Sequence, residues 1–174
     1  MTEHVFEEGF TELLVAMDTC LEKRLVLPAL LLLYSSIDIM SWLDCPNTKD
    51  KVEHRFVKWA DKYMEPKTNL GCSAIDLYGA RCALLHTYTS ESDLSSKLKA
   101  KEIYYAWGTG SAEDLQKLIK LVGTKPVVAV QIQLLFGAFR TGVNRFKSDL
   151  VKDPKYATLV YERATKFFTY VPAL

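Results

Sequence analysis

Apolar residues recur every three or four positions over most of this chain, and short polar stretches separate the periodic segments. The first segment, residues 5–23, predicts an amphipathic helix. Its apolar face comprises Phe6, Phe10, Leu13, Leu14, Met17 and Leu21. A second predicted helix has Pro28 in its first turn, where the missing N–H costs nothing, and runs to about Asp44. Because this helix is apolar on nearly every side, we expect it at the centre of the fold.

Two more helices are predicted in the first half of the chain. Residues 51–64 place apolar side chains on one face, and Asp50 is the candidate N-cap. That face comprises Val52, Phe56, Trp59, Ala60 and Tyr63. Residues 65–71, EPKTNLG, predict a turn. A fourth helix then opens at Cys72 or Ser73.

The middle of the chain predicts a small sheet. The serine-rich residues 87–101 lack periodicity, which indicates a mobile loop. Residues 102–108, EIYYAWG, and residues 125–132, KPVVAVQI, read as two short strands that pair with each other. Between them, residues 111–123 predict a helix that Ser111 caps in a capping box with Asp114.

Two final helices complete the predicted fold. Residues 131–151 form a long helix whose apolar stripe comprises Leu135, Phe139, Val143 and Phe146. Residues 155–170 form a last helix, with inward positions at Tyr156, Leu159, Val160 and either Phe167 or Phe168. The fold class is therefore mainly α: a helical bundle with a small two-stranded β element, in a single domain of residues 1–174.

Composition and charge describe an ordinary globular domain. Hydrophobic residues make up 49% of the chain and charged residues 25%, which is typical of soluble proteins. The net charge of +1 provides no overall basic field. This counts against a dedicated DNA-binding module but is compatible with a small local phosphate site.

Residues 25–43 are about as long as a helix that spans a bilayer. Ser35, Ser36 and Asp38 interrupt the segment, and a charge at membrane depth is costly. The pattern therefore favours a buried helix and no membrane association. The acidic, polar first ten residues do not have the pattern of a signal peptide.

The four cysteines show neither a CxxC pair nor a zinc-finger spacing. Isolated cysteines in helices are typical of a reduced, cytoplasmic protein. The sequence also contains no glycine-rich nucleotide fingerprint, no GxSxG, no HExxH and no ExxH pair. It therefore predicts neither a cofactor nor a metal.

Arg81 and His86, in the stretch DLYGARCALLHTY, are the residues that carry candidate chemistry. The planar guanidinium binds phosphate oxygens in pairs, and histidine exchanges protons near neutral pH. Together they can promote attack of an RNA 2′-hydroxyl on its phosphate without a metal. Structural roles are equally open: His86 can cap a helix C-terminus, and Arg81 can pair with Asp76 or another carboxylate.

The spacing of this pair raises a geometric question. Five residues along a helix correspond to a rotation of about 140°. The two side chains therefore do not lie one above the other. Either the helix ends near Leu85 and His86 swings round, or a second chain completes the site.

The segment LYGARCALLH, residues 77–86, resembles the arginine–x4–6–histidine signature of the HEPN superfamily. Its members are helical bundles, usually dimeric, and many are metal-independent endoribonucleases of defence, toxin–antitoxin and RNA-processing systems. The resemblance implies a HEPN-like homodimer that acts on RNA and has a partner antitoxin. It also implies a composite catalytic site built from Arg81 and His86 of two chains.

Cys82 stands where members of the superfamily typically carry a polar residue after the arginine, and a thiol is only a weak donor. We treat Cys82 as a supporting residue. Many members are non-catalytic, so the resemblance equally implies an RNA-binding or dimerisation module. A third interpretation is an unrelated helical scaffold in which Arg81 and His86 meet by coincidence.

Asp38 is a second supporting candidate, because a carboxylate in an apolar helix needs a partner. It can orient Arg81 or His86, or it can bond to Ser35 or Ser41.

Three residues are candidates for substrate binding. Tyr88 can stack on a base, and Lys97 and Lys99 can follow a phosphate backbone. The alternatives are that Tyr88 covers the end of the bundle and that the lysines form a solvated surface.

Overall fold

The structure is a computed structural model that describes residues 2–45, 49–122 and 125–166. In chain order its elements are α1 (Thr2–Glu22), α2 (Val26–Leu43), α3 (Val52–Trp59) with a π-helical continuation (Ala60–Met64), α4 (Pro66–Asn69), α5 (Ala74–Thr87), α6 (Asp93–Ser96), β1 (Glu102–Ala106), α7 (Ala112–Val122), β2 (Val127–Gln131), α8 (Ile132–Lys152) and α9 (Pro154–Ala164). The chain is thus a mainly α bundle with a small two-stranded sheet. This confirms the predicted fold class.

Helix α2 lies at the centre of the bundle, as its apolar circumference predicts. It packs against α1, α3, α5, α8 and α9. Leu33, Tyr34, Ile37 and Met40 are fully buried in this packing. By length and composition alone α2 is apolar enough to cross a membrane, but half of it is buried inside the protein. Its neighbours on several sides identify it as a core helix.

Aromatic side chains join α3, its π-helical continuation and α8. The ring of Trp59 lies 5.3 Å from that of Tyr63 and 6.2 Å from that of Phe139. Phe146 meets Tyr63 edge to face at 5.5 Å. Such tilted and edge-on pairs are the favoured aromatic geometries. The predicted inward positions on α3 and α8 are therefore confirmed at these residues.

Helix α8 packs closely against the π-helical turn at Gly142. A Cβ atom at Gly142 would lie 3.1 Å from Cγ of Met64 and 3.3 Å from Cη2 of Trp59. Glycine is therefore what permits this approach. Glu65, in the left-handed conformation, ends the turn, and Pro66 opens α4. The segment predicted as a simple turn thus contains one further helical turn.

The last helix differs from its prediction in length and in facing. It begins at Pro154, where the carboxylate of Asp153 accepts hydrogen bonds from two backbone N–H groups. It ends at Ala164 rather than residue 170, and Phe167 and Phe168 lie outside the described residues. Leu159 is 55% exposed, so its predicted inward position is wrong. Val160 lies inward as predicted, and Ala157 and Ala164 are also buried.

The two strands pair as predicted, and they run in parallel. The register extends from Glu102 opposite Val127 to Ala106 opposite Gln131. Helix α7 provides the crossover that parallel strands require. Ser111 accepts a hydrogen bond from the backbone N–H of Asp114 at 3.0 Å, which confirms the predicted cap.

Two local predictions are wrong. Residues 93–96 form helix α6 within the segment predicted as a loop, because Ser92 and Ser95 build a reciprocal capping box. Asp50 is not the N-cap residue of α3, since the N-cap is Lys51, whose side chain makes no capping hydrogen bond. The Asp50 carboxylate instead lies 3.5 Å from Nδ1 of His54.

Candidate functional site

Helix α5 carries the site, and a capping box fixes its first turn. Ser73 accepts from the backbone N–H of Asp76, and Asp76 accepts from that of Ser73 at 2.8 Å. The other oxygen of Asp76 accepts from the backbone N–H of Lys101 at 2.6 Å. Ser73 therefore opens the helix, as one of the two predicted starts. Because Asp76 is buried and bonded here, it is not the partner of Arg81.

Asp38 of α2 holds the guanidinium of Arg81. Nε and Nη2 of Arg81 donate to Oδ2 of Asp38 at 2.7 and 2.6 Å. The two side chains are only 17% and 18% exposed. Ser41 donates to the backbone carbonyl of Asp38 and not to its carboxylate. The structure therefore places Asp38 where it orients Arg81.

Arg81 also reaches His86. Its Nη1 atom lies 3.4 Å from Nε2 of His86, and the imidazole is exposed. The helix continues to Thr87 and ends at Tyr88 in the left-handed conformation. The alternative in which the helix ends near Leu85 is thus excluded. The long arginine side chain spans the rotation between the two positions, so both groups meet within one chain.

Burial and charge act in opposite directions on the Asp38–Arg81 pair. Burial raises the pKa of Asp38, and the charge of Arg81 opposes that shift, with smaller contributions from Arg55 and His86. Burial by itself lowers the pKa of Arg81, but the charge and hydrogen bonds of Asp38 outweigh it, so the net pKa is raised. Arg81 therefore stays charged at neutral pH.

A cleft of about 550 Å³ opens beside His86, between α5 and the segment that contains α6. Its lining residues are Glu53, Tyr78, Cys82, Ala83, His86, Glu91, Ser92, Asp93, Leu94 and Ser96. Cys82 and His86 are four residues apart and so share one face of α5. The absence of a side chain at Gly79 lets the segment of residues 92–100 pack close to α5, because a Cβ atom at Gly79 would lie 3.0 Å from Cβ of Ala100.

The cleft has a mixed electrostatic character. Three carboxylates line it, from Glu53 on α3 and from Glu91 and Asp93 at and just before α6. Glu91 is paired with Nζ of Lys125 at 2.8 Å, whereas Glu53 and Asp93 are exposed. Arg81 is not among the lining residues, but it contacts His86, so its charge attracts an anion at the His86 side of the cleft.

Cys82 lies between the arginine and the cleft. Nη1 of Arg81 is 4.0 Å from its sulfur. Tyr78 is a neighbour of Cys82. Burial is the main cause that raises the pKa of Tyr78 to about 12, and Cys82 adds to the shift. The ring of Tyr78 packs on Phe56, with the ring centroids 5.4 Å apart. Cys82 is thus part of the wall that surrounds the guanidinium.

The three predicted substrate-binding residues do not line this cleft. Lys99 lies in a second groove beside the first turn of α5, together with Lys101. The first turn and His86 are ten residues apart, which is about 15 Å along the helix. Lys97 is exposed and lines neither groove. Tyr88 is 63% exposed and also lies outside the lining.

Arg55 of α3 is a neighbour that the sequence analysis missed. It is half-buried, and its charge lowers the pKa of Asp38. Within the described residues its Nε atom is buried without a hydrogen-bond partner. A signal was present in the sequence, because Arg55 lies on the same helical stripe as Val52, Phe56 and Trp59.

Among the described residues, no group of three or more His, Cys, Asp or Glu side chains is placed to hold a metal ion. Comparison with models of protein families, with curated proteins and with solved structures gives no match.

The environments of the four cysteines predict their reactivity. Burial raises the pKa of Cys72 to about 12, and Cys45 is also buried, whereas Cys20 and Cys82 are half-buried. We expect iodoacetamide at pH 8 to alkylate Cys20 and Cys82 well before Cys72 and Cys45 in the folded protein. Mass spectrometry of peptides, with urea-unfolded protein as control, measures this. Equal rates for all four native thiols would contradict the described packing.

Proposed function

We propose that this protein is a HEPN-like, metal-independent endoribonuclease that acts as a homodimer in the cytoplasm, with Arg81 and His86 as its catalytic residues. One observation carries the proposal: Nη1 of Arg81 lies 3.4 Å from Nε2 of His86, beside an open cleft. Asp38 supports it by fixing the guanidinium. The resemblance of residues 77–86 to the superfamily signature is the basis for proposing RNA as substrate, a homodimer and a partner antitoxin.

The proposed reaction is transfer within the RNA strand. His86 takes the proton of a 2′-hydroxyl, and the resulting oxygen attacks the adjacent phosphorus. Arg81 stabilises the added negative charge on the phosphate oxygens. The bond to the 5′-oxygen breaks, and that oxygen receives a proton from His86 of the second copy. The products are a 2′,3′-cyclic phosphate and a 5′-hydroxyl.

A non-catalytic HEPN-like module for RNA binding or dimerisation is the second candidate. The carboxylates of Glu53 and Asp93 favour the dimerisation role, because they repel a phosphate backbone from the parts of the cleft that they line. In an RNA-binding module Arg81 contacts phosphate, in a dimerisation module it holds α2 against α5, and in neither does His86 move a proton. An unrelated helical scaffold is the remaining alternative.

Product chemistry tests the ribonuclease proposal. An RNA oligonucleotide incubated with the protein in EDTA is expected to yield 2′,3′-cyclic phosphate ends, read by mass spectrometry. The same oligonucleotide with 2′-deoxy sugars throughout is expected to stay intact, because the nucleophile is missing. A requirement for Mg²⁺, or products with 3′-hydroxyl ends, would exclude the proposed reaction.

A further inference from the structure

Two arginines from different helices act on one carboxylate, and the helix of Arg55, α3, packs on both α2 and α5. Asp38 of α2 bonds to Arg81 of α5, and the charge of Arg55 of α3 also acts on it. The two cations and one anion leave one positive charge in excess. All three side chains are half-buried. Excess charge away from solvent is costly unless an anion balances it.

The hydrogen bonding of this group is incomplete. Within the described residues, Nε of Arg55 and Oδ1 of Asp38 are buried without partners. Asp38 uses a single oxygen for both bonds to Arg81. Buried donors in native proteins are nearly always satisfied, so an unpaired cationic donor points to an absent acceptor.

We propose that Arg55 and Arg81 together form a binding site for a singly charged phosphate group beside His86. Guanidinium groups present paired N–H donors that match phosphate oxygens. One phosphodiester charge balances the excess positive charge of the cluster. Glu53 and Asp93 line the cleft, and their carboxylates repel an anion from the parts of the cleft next to them. The identification of the phosphate as part of RNA rests on the proposed function, whereas binding of free phosphate does not.

Two binding experiments test this site. The first arm uses an RNA oligonucleotide with 2′-O-methyl groups, which cannot undergo the cleavage step. Fluorescence anisotropy at several NaCl concentrations gives Kd and its salt dependence. For Arg55→Gln we expect Kd to rise about tenfold and the slope of log Kd against log salt to fall by about one. Arg55→Lys keeps the charge without the fork, so a smaller loss is expected. The control is Lys58→Gln, on the exposed side of the same helix, which should bind as the unmodified protein does.

The second arm uses inorganic phosphate. Phosphate is expected to raise the Tm of the unmodified protein and of Lys58→Gln more than NaCl does at equal ionic strength, and to lose that effect in Arg55→Gln. A phosphate effect without RNA binding would retain this site and reject the ribonuclease. The inference is overturned if Arg55→Gln matches Lys58→Gln in both arms, or if the unmodified protein responds to neither ligand.

Discussion

Replacing Asp38 with alanine is expected to lower the free energy of unfolding by about 2–3 kcal/mol, because it leaves the half-buried charge of Arg81 without its partner. The estimate lies below the range for fully buried pairs, since 17–18% of each side chain is exposed. Urea unfolding followed by circular dichroism measures the change. The double variant Asp38→Ala/Arg81→Ala should recover part of the loss, because no uncompensated charge remains.

A matched control is the ion pair between Asp18 and Arg140, whose side chains are 47% and 39% exposed. Solvent screens this pair, so Asp18→Ala should cost no more than about 1 kcal/mol. If Asp38→Ala were as stable as Asp18→Ala, the Asp38–Arg81 contact would not stabilise the packing of α2 against α5.

Replacing Arg81 with glutamine is expected to lower kcat/KM for RNA cleavage in EDTA about 100- to 1000-fold, the effect of losing one preorganised donor to a charged transition state. The variant also leaves Asp38 unpaired, so activity is compared at a temperature where circular dichroism shows both proteins folded. Arg81→Lys should remain strongly impaired, because an ammonium cannot hold the carboxylate and a phosphate in the same forked geometry.

The control for this prediction is Arg140→Gln, which removes an arginine from a solvent-exposed ion pair. It should cleave RNA at the rate of the unmodified protein. Retention of full activity by Arg81→Gln, with Arg140→Gln equally active, would show that the guanidinium of Arg81 does not stabilise the transition state.

Helical periodicity predicted the long elements because each must bury one face. The core positions Phe10, Trp59 and Phe139 could be chosen from spacing alone. The pairing of β1 with β2 was also predictable, from two β-rich stretches flanking a helix. Such signals are averages over many residues, so they are strongest for long segments.

Short and contact-dependent features were beyond this reasoning. Helix α6 has four residues, too few for a period, and its formation depends on the hydrogen bonds between Ser92 and Ser95. The π-helical turn packs against α8 at Gly142, and α8 is distant from it in sequence. Neither determinant is visible in the local hydrophobic pattern.

The two residues at the centre of the candidate site, Arg81 and His86, were predictable from the sequence, whereas the positions of Lys99 and Arg55 were not. The sequence motif pointed to Arg81 and His86. The rotation of about 100° per residue predicts that their side chains point in different directions along the helix. That argument neglects the length of the arginine side chain, which is enough to reach His86. Lys99 is close to His86 in sequence, yet the chain folds back along α5 and leaves it by the first turn. Arg55, distant in sequence, lies near Asp38 because α3 packs on both α2 and α5.

We propose that His86 moves a proton in metal-independent cleavage of RNA. The test of this role compares cleavage of cellular RNA in EDTA by the unmodified protein, by His86→Gln and by His54→Gln at equal oligomeric state. His54 is an exposed histidine on α3 that does not line the cleft, which makes it the matched control. We expect cleavage by the unmodified protein and by His54→Gln, and a rate at least about 100-fold lower for His86→Gln. Equal cleavage by all three proteins, or by none, would show that His86 does not have this role.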